Sequence, residues 1–129
     1  MLATLVSIFS LMLSTLLMMV AFGLQSYVVP VRAVAEGWST QTISMIATGY
    51  TIGFTLSCIV TPKFVLLVGH VRVFVALITL LAIAILLCAL VVDWRAWMLF
   101  RAASGFAISG SYLIIESWLN ERVTNENRG

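Results

Sequence analysis

The stretch from Trp97 to Gly129, WMLFRAASGFAISGSYLIIESWLNERVTNENRG, decides the fold. Its apolar part is long enough to cross a bilayer, yet Arg101 lies inside one end and Glu116 inside the other. At about 100° per residue, Arg101, Gly105, Ile108, Tyr112 and Glu116 fall on one narrow helical stripe, while Leu99, Phe106 and Leu113 point elsewhere. An ionisable side chain at membrane depth is costly even on the gentlest scale, so this stripe is expected to face other helices or a wet cavity rather than lipid. Arg101 and Glu116 are about 22 Å apart along the helix axis. Each therefore needs a partner of its own from another helix.

Working outward, the whole composition agrees with a membrane setting. Hydrophobic residues make up 62% of the chain and charged residues 9%, against roughly 45–50% and 25% in a soluble domain. The 129 residues, at about 20 per spanning helix, leave room for four or five helices, short loops and no soluble domain. The expected fold class is all-α integral membrane, with four transmembrane helices at about 5–27, 41–60, 73–92 and 96–118. A formal net charge of +2 without a basic run excludes a nucleic-acid partner. Cys58 and Cys88 sit singly in apolar segments, without metal-ligand spacing, and are read as buried thiols. No Lys or Arg precedes Arg32, and the first apolar run outlasts a signal peptide's, so it is read as a retained span.

Each span carries its own pattern. In the first, Ser7, Ser10, Ser14, Met18, Ala21 and Gln25 share a face; the serines can bond to carbonyls of their own helix, whereas the Gln25 amide has more to satisfy. VVPVRAVAEGWST follows, in which Pro30, Gly37, Arg32 and Glu36 mark a loop, with Arg32 and Glu36 spaced to pair and Ser39 or Thr40 as a helix cap. The second span has Gln41, Ser44, Thr48, Thr51 and Thr55 on one face and Gly49, Gly53 and Ser57 on another. The glycine set is a small-residue pattern for close helix packing. Thr61 and Pro62 open a junction that holds Lys63, His70 and Arg72, with Gly69 making the turn. The third span is apolar on every face, as a lipid-exposed or scaffold helix would be, and Asp93, Trp94 and Arg95 form a turn short enough to make spans three and four antiparallel neighbours.

Lys63, Arg72, Arg122 and Arg128 fall on one side and Arg32 and Arg95 on the other, so the positive-inside rule places both termini in the cytoplasm. The sequence contains no nucleotide loop, zinc motif or Ser/His/Asp constellation, and an enzyme is not expected.

Arg101 with Gly105 four residues later resembles the R-x-x-x-G core of the fourth helix in the major facilitator superfamily of secondary transporters. PVRAVAEGWST and the Gly- and Thr-rich span after it resemble that superfamily's first outer loop and second helix. IIESWLNERVTNENRG is similar to the fourth-helix exit and the Arg-Gly before the fifth helix in a sugar-permease-like bacterial branch. The superfamily's loop signature, Gly-x-x-x-Asp-Arg-x-Gly-Arg-Arg, is matched only in part by PKFVLLVGHV: Gly69 is kept and Arg72 supplies a basic residue just beyond, but Leu66 and Leu67 stand at the Asp-Arg positions.

The resemblance implies the start of a twelve-helix fold of two inverted-repeat halves, of which this chain is an N-terminal fragment holding helices one to four. It implies secondary transport of a small solute by alternating access across a bacterial cytoplasmic (inner) membrane, with no cofactor and with proton coupling left open. Gln25, Arg101, Tyr112 and Glu116 become cavity-lining candidates, Glu116 alternatively an anchor of the cytoplasmic gate. Gly69, His70 and Arg72 become gating-loop candidates, and Gly49, Gly53, Ser57 and Gly105 packing positions. The implied partners are the bilayer, the solute and the remaining helices. Two alternatives stand beside this reading: a self-contained four-helix dimeric exporter of the small multidrug-resistance type, which requires an acidic residue that the first span lacks, and a non-transporting membrane subunit docking through the glycine face.

Overall fold

In a computed structural model of the chain, which describes residues 1–127 and side chains as far as Arg122, the apolar runs form four α-helices. These are α1 (Leu2–Ala35), α2 (Thr40–Val68), α3 (His70–Leu90) and α4 (Trp94–Asn127). All four are long and apolar enough to cross a membrane, and the fold class is all-helical integral membrane. The Arg128–Gly129 pair, counted above in the orientation argument and the resemblance, lies outside the described residues. By its contacts the chain divides into Met1–Ser39 and a three-helix unit from Thr40 onward.

The first unit is α1 and its turn. Pro30 was expected to open a loop, but the helix runs through it to Ala35. Proline removes one N–H, and where little water competes for the backbone the flanking helical bonds persist around the gap. The helix stops instead at Gly37, whose φ of 77° is a conformation that costs glycine little. The Gly37 N–H donates to the Val34 carbonyl at 3.0 Å and the Trp38 N–H to the Ala33 carbonyl at 3.2 Å, the paired bonds of a Schellman cap. Arg32 Nε and Glu36 Oε1 pair across this last turn at 2.8 Å. Ser7 and Ser14 donate to the carbonyls of Ala3 and Ser10 at 3.0 and 2.9 Å, so these hydroxyls are satisfied within their own helix.

In the second unit, α2 and α4 pack backbone to backbone. A Cβ placed on Gly49 would come within 2.8 Å of the Met98 carbonyl oxygen, one on Gly53 would overlap the carbonyl of Ala102, and one on Gly105 would overlap that of Tyr50. Small residues at four-residue steps on both helices make this approach feasible, and without a hydrophobic driving force in lipid such contact is a main source of helix association. Gly110 extends the seam: its missing side chain leaves room for Leu77 of α3 and the hydroxyls of Ser57 and Thr61, which lie 2.7 Å from one another.

Helix α3 packs on α4 through Val73, Leu77, Leu81, Ala84 and Cys88, all buried and each about one turn from the next. A helix apolar all round gives no hint of which stripe that is, which is why the sequence suggested a lipid-exposed scaffold. The turn from α3 to α4 is closed by Trp97, 1% exposed, whose indole N–H donates to the Val91 carbonyl at 2.6 Å. Asp93 Oδ1 accepts the Arg95 N–H at 3.1 Å, as an N-cap does. Trp97→Phe removes this donor and part of a fully buried ring, so a loss of about 1–2 kcal/mol is expected in reversible unfolding of the detergent-solubilised protein.

Two further expectations are corrected. The junction placed at Thr61 and Pro62 does not exist, because α2 continues through Pro62 to Val68 and breaks only at Gly69, φ 93°. Cys58 is exposed rather than buried; it lies beside the packed face, with its Sγ 3.3 Å from Ser109 Oγ.

Candidate functional site

Two groups of polar side chains in the three-helix unit stand out from its apolar mass. The first centres on Arg101. The packing of α4 against α2 leaves this residue 8% exposed, with its guanidinium carbon 4.8 Å from the centre of the Tyr50 ring. A cation over an aromatic face is attracted by the ring quadrupole, and more so when desolvated. That contact offsets part of the charge's burial but supplies no hydrogen-bond acceptor. Arg101 Nη1 is enclosed without a partner among the described residues, and no carboxylate among them pairs with this side chain. Tyr50 also sits 6.1 Å from Phe54, ring centre to ring centre, so the arginine's support is itself packed against a neighbour.

Along the stripe from Arg101, Gly105 and Ile108 are buried, Tyr112 is half-buried and Glu116 is exposed. Arg101 and Glu116 are thus not brought together. Gln25 is buried on α1, in the first unit. Tyr50 was not singled out from sequence. The signal available was an aromatic residue set between Gly49 and Gly53, the two glycines that draw α4 close.

The second group lies where α2 ends, α3 begins and α4 leaves the bundle. A groove of about 390 Å³ is lined there by Thr61, Val65 and Leu66 of α2, His70 of α3, and Ser117 and Glu121 of α4. His70 Nε2 is 3.1 Å from Ser117 Oγ and 3.8 Å from Glu121 Oε1. Of the gating-loop candidates, Gly69 makes the turn, His70 reaches α4 and Arg72 is exposed. Ser117 and Glu121 were missed because only their one-turn spacing, seen together with the α3 start, marks them. Among the described residues no group of three His, Cys, Asp or Glu could hold a metal ion.

Among the described residues, four helices long and apolar enough to cross a membrane, a glycine-sealed helix pair and a buried arginine without a counter-ion define a polytopic membrane protein built around an intramembrane polar position. The family model described as Major Facilitator Superfamily matches residues 11–129. The chain belongs to this superfamily, whose members are transporters of small molecules. No curated protein and no solved structure matches the chain.

Proposed function

We propose that this chain is the N-terminal part of a secondary active transporter that moves a small solute across a bacterial cytoplasmic membrane by alternating access, with Arg101 in the wall of the pathway. The observation that carries this reading is the arginine itself: 8% exposed, stacked on Tyr50, and without a carboxylate among the described residues. An ionised side chain held inside a bundle marks a pathway or a partner charge. An anionic or hydrogen-bonding solute group, or a protonatable carboxylate from helices beyond these four, would complete its coordination. Tyr112, three turns along the same stripe, extends the wall, and Gln25, buried on α1, is a solute-contact candidate of the first unit. Glu116, exposed on the exit side of α4 about three turns before its end, suits a gate contact better than solute binding.

The three-helix unit supports an orientation. The contact of His70 with Ser117 puts the end of α2, the start of α3 and the exit of α4 at one end, with Lys63, Arg72 and Arg122, while Arg95 lies at the other. The excess of positive charge supports a cytoplasmic position for the first end.

The test is solute counterflow in proteoliposomes holding the full protein, using labelled carboxylates, sugars and amines with and without an imposed pH gradient. Exchange of one class is the expected result, and dependence on the gradient, lost with a protonophore, would identify the proton as the coupling ion. Folded, reconstituted protein that exchanges none of the three classes would count against the reading.

A further inference from the structure

The groove between α2, α3 and α4 contains an imidazole placed where its charge state changes what it holds. We propose that His70, Ser117 and Glu121 form a proton-responsive clamp that ties the first turn of α3 to the last membrane turns of α4. The clamp tightens when the imidazole is charged and loosens when it is neutral.

The geometry supplies each part. His70 Nε2 lies 3.1 Å from Ser117 Oγ, a hydrogen bond in either charge state, because the hydroxyl can accept from a protonated nitrogen or donate to a bare one. The same nitrogen lies 3.8 Å from Glu121 Oε1, beyond hydrogen-bond reach, where an imidazolium gains an ionic attraction to the carboxylate that a neutral ring lacks. The side chains of His70 and Glu121 are 24% and 61% exposed, so both reach solvent. Imidazole is the side chain that changes charge between about pH 5 and 8.

Among the described residues, the surrounding charges leave this pair in control of the contact. The groove-lining residues of α2 are Thr61, Pro62, Val65 and Leu66, none of which titrates; Lys63 is exposed and outside the lining. On α3 the nearest charge is exposed Arg72, two residues on. On α4, exposed Glu116 precedes Ser117, and Arg122 is held over the Trp118 ring at 4.7 Å. His70 also follows directly on Gly69, the one residue between α2 and α3, whose φ of 93° makes it the break between the two helices. Fixing His70 to α4 therefore braces that break. The clamp is independent of which solute is carried and of whether the chain transports at all.

Hydrogen exchange on the full protein in lipid nanodiscs, at pH 5.5 and 8 with the intrinsic pH dependence of exchange divided out, tests it. Protection of the first turn of α3 and of residues 117–122 is expected to be about two- to fivefold higher at the lower pH, the range of a partly exposed ion pair. His70→Gln and Glu121→Gln should both abolish that difference. His70→Arg, charged at both pH values, should keep the high protection throughout, and it decides the matter should His70→Gln fold poorly. Equal wild-type protection at the two pH values, or a pH response that survives His70→Gln, would overturn the proposal.

Discussion

Gly53→Leu is expected to separate α2 from α4 and to cost about 3 kcal/mol or more, at the upper end of overpacking penalties. A Cβ at this position overlaps the carbonyl of Ala102, a backbone atom that no rotamer change can move aside. Even Gly53→Ala should be strongly destabilising for that reason. Gly23, a helical glycine with nothing within 4 Å of a Cβ placed on it, is the control. Gly23→Ala should be neutral or stabilising by about 0.5–1 kcal/mol through helix propensity alone. Thermal unfolding of the purified variants in detergent reads both. A Gly53→Leu protein as stable as wild type would mean that the two helices are not in backbone contact.

Arg101→Leu has an effect of the opposite kind. Arg101 has no ionic partner among the described residues, so an apolar side chain in its place removes the cost of a buried charge and strands no counter-charge there. The variant should therefore unfold no lower than wild type, despite losing the stacking on Tyr50. Solute flux, by contrast, should fall about ten- to a hundredfold, the loss of one charge-assisted contact made to the moving solute. Arg101→Lys should recover only part of it, since an ammonium keeps the charge and loses the planar fork. A variant that loses stability and flux together would make Arg101 a packing residue. Unchanged flux would remove it from the pathway.

Much of this architecture is visible in the residues themselves, because the bilayer leaves the backbone few options. A run of apolar residues longer than about 18 has to be a spanning helix or something close to one, and four such helices are present. What the sequence hides is where they stop. Pro30 and Pro62 read as breakers by the habits of soluble proteins, yet α1 and α2 pass through both and end at glycines with positive φ, Gly37 and Gly69. The four-residue step of Gly49, Gly53 and Ser57 is plain in the sequence; that Gly53 meets Ala102, and Gly105 meets Tyr50, depends on a register between helices that no single-chain pattern encodes. Helix α3 shows the limit most clearly, since a helix apolar on all sides can bury any stripe. The same holds for the polar groups. Arg101 declares itself as a charge in an apolar run, whereas the Tyr50 ring beneath it and the Ser117–Glu121 pair facing His70 gain their meaning only across helices.

The proposed transport makes the Arg101–Tyr112 stripe of α4 the border of a pathway open in turn to each side of the membrane. Its most direct test is labelling of a single cysteine at position 112, in full protein carrying Cys58→Ala and Cys88→Ala, by a membrane-impermeant thiosulfonate added to one side of the vesicles and then to the other. The account expects Tyr112→Cys to react from both sides. Leu99→Cys, 72% exposed in this structure on another face of α4, should instead meet lipid and react from neither. A Tyr112→Cys side chain as inert as Leu99→Cys, or reactive from one side alone, would contradict the account.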